Sequence, residues 1–217
     1  MAINIRAVVA REHNCEPDDV VLEEGAARVR QSNAFMSLSD VATAATDEER
    51  KSSGVFEQDE ATYPNGTHIC EVEIDQATAI TRVVSYTIVD DFGSTVNPLL
   101  LEGQVHGGVV QSIGQCLLEH VVYTEDGQLL SASLMDYAVP RADDLPNFHF
   151  ETRNVPSTTN EMGIKGAGEA GTIGSCPAVM NAVSDALHRE FGDVSIHVDM
   201  PVTPLSMFHT LQQLGKS

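Results

Sequence analysis

One carboxylate stands in an unusual run of small residues, Lys165-Gly166-Ala167-Gly168-Glu169-Ala170-Gly171-Thr172-Ile173-Gly174-Ser175. Small neighbours let a bulky ligand come close to the backbone. They also leave Glu169 with Lys165 as its only obvious local salt-bridge partner. The plainer reading is a glycine-rich turn with an exposed glutamate. The run is neither GxGxxG after a strand nor GxxxxGK[ST], so it gives no support to nucleotide binding. A helix expected to begin after Ser175 could still offer its amides to an anion.

A second glycine-rich stretch runs from Gly103 to Leu118. Its apolar residues Val105, Val109, Val110, Ile113, Cys116 and Leu117 recur at helical spacing. Yet Gly103, Gly107, Gly108 and Gly114 each cost a helix roughly 1 kcal/mol relative to alanine. Such a helix has something pressed close to its backbone, either another element or a ligand. From pattern alone, packing is the stronger of the two.

Other chemically capable residues are scattered. His68 shares strand parity with Cys70, although a hydrogen-bonded, half-buried histidine explains it better than a metal pair does. His106 and His120 lack a second close ligand. No GxSxG elbow supports a hydrolase triad. Cys15, Cys70, Cys116 and Cys176 form no CxxC pair, so the usual zinc and iron–sulfur patterns are missing and free thiols are expected.

The elements that would position these residues mix strands and helices. Ile5 to Ala10 belongs to a helix ending near His13. Val20–Leu22 and Ala27–Val29 flank Glu23-Glu24-Gly25 as a short hairpin. Ser37 caps a helix over Leu38–Ala45, with Asp40 as the acidic capping partner. Residues 46–60 read as a loop. Cys70, Val72 and Ile74 alternate with charged residues, the mark of a strand with one buried face. After a turn at Gln76–Ala79, a second strand over Ile80–Asp91 places Val84, Tyr86 and Ile88 on one face. Asp126-Gly127 signals a hairpin, and Phe148–Val155 another strand. Ser175 should cap a helix with Pro177 in its first turn and Val179, Val183, Ala186 and Leu187 as its buried stripe. A short strand at Ile196–Val198 and a last helix from Pro204 to about Leu214 complete the chain. Without a regular βαβ repeat, the fold class is α+β. Two regions are expected: 1–60, a peripheral segment, and 61–217, the main body.

The 217 residues carry a formal net charge of −20 and are 42% hydrophobic. That is the composition of a globular protein that repels phosphate backbones, so nucleic acid is an improbable partner. No run approaches the ~18 apolar residues of a membrane span. Met1-Ala2-Ile3-Asn4-Ile5-Arg6 lacks the features of a signal peptide, so a cytoplasmic location is expected and the sequon at Asn65-Gly66-Thr67 is a chance match.

Several motifs together resemble one family. They are Asp90-Asp91-Phe92-Gly93, Asn97-Pro98, Gly103-Gln104-Val105-His106-Gly107-Gly108 with Gln111 and Gly114-Gln115, Met135-Asp136-Tyr137 with Pro140-Arg141, and Lys165-Gly166-Ala167-Gly168-Glu169 followed by Pro177-Ala178. In order and spacing they resemble the molybdenum-cofactor-binding large subunit of xanthine dehydrogenases, aldehyde oxidoreductases and aerobic carbon monoxide dehydrogenases. The resemblance is weakest before about residue 60 and covers only the C-terminal part of a much longer subunit.

The resemblance implies a molybdenum–pyranopterin cofactor, in the mononucleotide or the cytosine dinucleotide form, held through its dithiolene and not by protein metal ligands. It implies that Glu169 matches the family's active-site base and Gln104 a glutamine that hydrogen-bonds the pterin. Gly107 and Gly108 would let the helix approach the cofactor or its neighbouring segment. Gly166, Ala167 and Gly168 would hold Glu169 near the metal without crowding it. The implied activity is hydroxylation of an aldehyde, purine or N-heterocycle carbon with water as the oxygen source. Implied partners are the N-terminal part of the large subunit, an iron–sulfur subunit and an FAD subunit. The alternative is a cofactor-binding or assembly subunit without turnover of its own.

Overall fold

A computed structural model describes residues 1–57, 60–192 and 197–215. The chain divides into two compact units, Met1–Glu57 and Gln58–Ser217.

In the first unit, helix α1 (Ala2–His13) precedes a three-stranded antiparallel sheet of β1 (Val20–Glu23), β2 (Ala26–Val29) and β3 (Phe35–Ser37). Asn14 closes α1 in the left-handed conformation, which asparagine tolerates better than most residues. Helix α2 (Leu38–Ala44) begins on the expected capping box. Ser37 Oγ accepts from the Asp40 amide, while Asp40 takes the Ser37 amide. Val8, Val9, Val20, Ala27 and Val41 form a core of its own.

The second unit is built on β4 (Asn65–Asp75), β5 (Ile80–Asp91) and β6 (Phe148–Thr152), with β5 in the centre. β4 runs antiparallel to β5, and β6 runs parallel to it. A parallel neighbour needs a long crossover, and helix α3 (Pro98–Leu117) lies within that connection. Asn97 caps α3 and Pro98 fills its first position, where a missing N–H costs nothing. Helices α4 (Ala170–Phe191) and α5 (Pro204–Leu214) complete the unit. Tyr86, Ile88, Val105, Val109, Val179 and Met207 are among the residues sealing its core.

Cys70, Val72 and Ile74 turn toward that core as their alternation predicts. On β5 the parity breaks. Val83, and not Val84, joins Tyr86 and Ile88 in the interior, while Val84 is 48% exposed. The cause is a bulge: Glu71 pairs with Ser85, but the next residue, Val72, pairs with Val83. One extra residue moves the side chains before it to the opposite face.

The glycine-rich run differs more from expectation. Helix α4 begins at Ala170, so Ser175 and Pro177 lie inside it, and Ser175 is fully buried. Gly171 and Gly174 explain the earlier start. At Gly171 a Cβ would stand 2.4 Å from the Val105 carbonyl oxygen of α3, and at Gly174 2.7 Å from the His68 ring. The glycines are there for close packing of helical backbone, not for a loop. Val179, Val183 and Leu187 form the buried stripe, with Ala186 half-buried.

Asp126-Gly127 makes a short hairpin, with Gly127 at φ +88° and Tyr123 bridged to Leu129. β6 stops at Thr152, before Val155, because the Val155 amide donates to Asp91 Oδ1 at 2.9 Å. The strand expected at Ile196–Val198 begins outside the described residues, and His197 and Val198 are not in a strand.

Candidate active site

The end of β5 organises the site. Asp91 is buried and accepts three hydrogen bonds, from the Gly93 and Val155 amides and from Lys165 Nζ at 2.6 Å. Burial alone would raise its pKa. The Lys165 ammonium and the two amides outweigh that and hold it down at about 2. Lys165 is therefore committed to Asp91 and is not the local partner of Glu169. Sequence reasoning missed this role for Asp91. The signal was there: two adjacent carboxylates close a strand whose other inward residues are apolar.

The same corner fixes the loop that carries Glu169. Lys165 N–H donates to the Phe92 carbonyl at 2.9 Å, and Ser94 N–H to the Gly163 carbonyl at 2.8 Å. Gly93 sits at φ +65°, and a Cβ there would lie 2.1 Å from the Gly163 oxygen. Only glycine allows this approach. Asn160 grips the loop from inside, accepting from the Ile164 amide and donating to the Ile164 carbonyl.

Beyond Lys165 the chain passes through Gly166, Ala167 and Gly168 to Glu169, which is exposed and caps α4 with its backbone. Gln104 Nε2 on α3 donates to the Gly168 carbonyl at 2.9 Å. Gln104 and Glu169, 65 positions apart in sequence, are thus brought together through one hydrogen bond. The amide keeps a second N–H and a carbonyl oxygen to offer elsewhere.

The glycines divide into two kinds. Gly108 belongs to helix packing: a Cβ there would stand 2.9 Å from the Thr172 nitrogen and 3.1 Å from Gly171 Cα. Two hydroxyls stitch the same crossing, Thr172 Oγ1 to the Gly108 carbonyl and Ser112 Oγ to the Thr172 carbonyl. Gly108 thus brings α3 against the segment that follows Glu169. Gly103, Gly107, Gly166 and Gly168 are different, with open space wherever a Cβ would be. All four lie within three positions of Gln104 or Gly168, the two residues joined by that hydrogen bond. A planar, polar ligand can lie on such a surface, so the residues fit a pterin.

His68 is a satisfied histidine. Its Nδ1 meets Tyr86 OH at 2.9 Å and its Nε2 faces Asp90 Oδ1 at 3.4 Å. Burial raises the Tyr86 hydroxyl's pKa. His106 packs edge-on against Phe148 and Phe150. All four cysteines are free, and burial pushes the Cys70 and Cys116 thiols up to about 12. Among the described residues no cluster of three metal-ligating side chains occurs.

Residues 2–146 match the molybdopterin cofactor-binding domain family. The chain belongs to that family. It is 36% identical to the nicotine 6-hydroxylase large subunit of Paenarthrobacter nicotinovorans, over 91% of this chain and 25% of that one. Quinoline 2-oxidoreductase from Pseudomonas putida 86 superposes with a TM-score of 0.83 at 33% identity, over 97% of this chain and 28% of that one. The Cu,Mo-CO dehydrogenase structure superposes with a TM-score of 0.85 at 26% identity, over 97% and 27%. The chain therefore spans about a quarter of the length of these relatives. The α+β architecture is that of their molybdenum-cofactor-binding region. The family match ends before Glu169, whereas the structural superpositions extend over nearly the whole chain. No described helix is long and apolar enough to cross a membrane.

Proposed function

We propose that this chain forms the part of a molybdenum hydroxylase that supplies the active-site base, Glu169, and one wall of the pterin site. The observation that carries this reading is the Gln104–Gly168 hydrogen bond. It ties the glutamine of α3 to the residue before Glu169, on a face kept bare by Gly103, Gly107, Gly166 and Gly168.

When bound, the molybdenum–pterin cofactor supplies a two-electron oxidation of the substrate carbon, with water as the oxygen source. Gln104 would hold the pterin edge by its remaining amide groups. Gly107 and Gly166 would let the ligand lie on the backbone, and Ala167 and Gly168 would keep the approach to the metal uncrowded. Glu169 would take up a proton at its carboxylate and return it to water between turnovers. Lys165, its neighbour in sequence, is held by Asp91 and not by that carboxylate.

Two relatives, at 36% and 33% identity, are named for nicotine and quinoline. That supports an aromatic N-heterocycle as the substrate class, ahead of an aldehyde or a purine. The N-terminal part of the large subunit would cover this face. Leu99, Leu134 and Met135, 78%, 82% and 93% exposed, are the apolar surface it would meet. Iron–sulfur and FAD subunits would take the electrons away. The cytosine dinucleotide form of the pterin and a cytoplasmic location complete the proposal.

The test is to co-express the chain with the remainder of the subunit and its electron-transfer partners, for wild type and Glu169→Gln. Molybdenum and pterin content should be equal in the two. Turnover of an N-heterocycle with an artificial acceptor should fall about 10²-fold or more in the variant, the range typical of losing a general base. Equal turnover would remove Glu169 from the chemistry. A wild-type complex without molybdenum would end the catalytic reading.

A further inference from the structure

The central strand of the second unit is covered over only part of its length. β6 begins at Phe148 and pairs with β5 from Tyr86 to Asp90. Residues 80–84 of β5 have β4 on one side and no strand on the other. In a strand paired on one side, alternate residues turn their N–H and C=O groups away from the partner. Among the described residues, no backbone outside the sheet takes up these groups at 81–84.

The residues before β6 explain its late start. Ala142–Asp144 form one turn of 3-10 helix, closed by Asp144 accepting from the Arg141 amide and guanidinium. Pro146 follows, two positions before Phe148, and brings no N–H to a ladder. The chain joins the sheet at Phe148 and leaves the first residues of β5 without a neighbour.

Beside them lies a groove of about 520 Å³, lined by Ile80, Val83 and Val84 of β5, by Ile113 and Leu117 of α3, and by Leu145. A second groove, of about 660 Å³, adjoins it: Leu118 and Asp144 line both, and Leu134 and Met135 line the second. An open edge is a template for another strand, and natural sheets blunt such edges with charge, proline or a covering element. The open stretch, Ile80-Thr81-Arg82-Val83-Val84, carries a single charge. The bulge leaves Val84 turned outward, so an apolar side chain stands half exposed on the edge.

A small ligand would fill the groove and leave the strand's backbone groups unanswered. An extended peptide answers both, with ladder hydrogen bonds and with alternate side chains laid in the groove. Five residues are enough, since a typical strand has about 5–6. The occupant follows from what lies outside the chain. Most of the length of the relatives it matches is not in it. Leu134 and Met135, in the adjoining groove, are the apolar surface that such a remainder would meet. Leu118, common to both grooves, links that surface to the β5 edge.

We propose that the rest of the large subunit adds a strand to this sheet, beside residues 80–84 of β5 and in line with β6, with its inward side chains on Ile113 and Leu117. This rests on the reading that the remainder of the subunit binds this chain, and not on any role for Glu169.

The experiment follows residue-resolved amide hydrogen exchange over residues 80–84, in the full chain alone and in its complex with the rest of the subunit. Exchange should slow at least tenfold in the complex, on alternate residues, the pattern of a ladder. Val84→Lys, at a half-exposed position, should keep the fold and weaken the complex at least tenfold by sedimentation, while Val84→Ile should assemble as wild type does. A complex that forms with exchange at 80–84 unchanged overturns the added strand and leaves the subunit reading intact. No complex at all overturns both. Protection in the chain alone that grows with its concentration assigns the edge to a second copy and also overturns the proposal. Molybdenum content and turnover do not enter the readout, so a failure of the Glu169 reading leaves this one standing.

Discussion

Asp91 and Lys165 show what a single pair can do at this site. The two side chains are 9% and 13% exposed and 2.6 Å apart. Removing one partner of such a pair leaves a buried charge and costs about 3–5 kcal/mol. Lys165→Met should lower urea-unfolding stability by that order, and Asp91→Asn combined with Lys165→Met should recover part of the loss. The pair also sets a pH dependence. A carboxyl whose folded pKa lies below its unfolded value contributes fully above the unfolded value, and the contribution is lost as pH falls through the folded one. For Asp91 the window runs from 3.8 down to about 2. Stability of wild type should fall as pH drops through that range, and Asp91→Asn should fall less steeply. At this scale the sequence was half legible. Glu169 and Gln104 were singled out from their motifs, and the structure joins Gln104 to the residue before Glu169. Asp91 was not, because its partner lies 74 positions away and spacing along a chain carries no information about such a contact.

Among the elements, α3 and α4 carry the lesson. The glycines of α3 were expected to mark either packing or a ligand, and they do not all mark the same thing. Gly108 and Gly171 bring two backbones together, whereas Gly103 and Gly107 face open space. Composition cannot separate these groups, because it does not say which way a helix is turned. The distinction predicts opposite outcomes. Gly171→Ala, with its Cβ 2.4 Å from a carbonyl oxygen, must push the helices apart and should destabilise by about 1–3 kcal/mol. Gly107→Ala meets nothing and removes a helix-weakening residue, so thermal or urea unfolding should show a gain of about 0.5–1 kcal/mol. On the proposed pterin site, the same variant should also lower the pterin content of the assembled complex, since the new methyl group would stand where the ligand lies. The early start of α4 was hidden for a related reason. Glycine reads as loop in a sequence, and only the facing His68 ring and the α3 backbone make it helical here.

For the whole molecule, charge and topology act together. With 32 acidic residues against 12 basic ones, the net charge of −20 repels itself across the surface. Raising NaCl from about 10 to 150 mM shortens the screening length from about 30 to 8 Å. Thermal stability should therefore rise over that range, with the buried Asp91–Lys165 pair little affected. The mixed α+β class and the β4–β5 hairpin were readable from alternation and turn residues. The parallel pairing of β5 with β6 was not, since nothing in either strand names its neighbour.

That parallel pairing also orders events in time. β4 and β5 are joined by a tight turn and can meet early, while Tyr86 must wait for Phe148 across a 62-residue separation. The contacts that fix Asp91, Val155 and Lys165 span longer loops still. They should be absent from the rate-limiting barrier, so that their loss speeds unfolding and leaves refolding almost unchanged. A chevron plot of Lys165→Met should shift on its unfolding limb alone. The consequence is that the loop carrying Glu169 closes last on an already built sheet, so a ligand bound there would have a time, as well as a place, at which to enter.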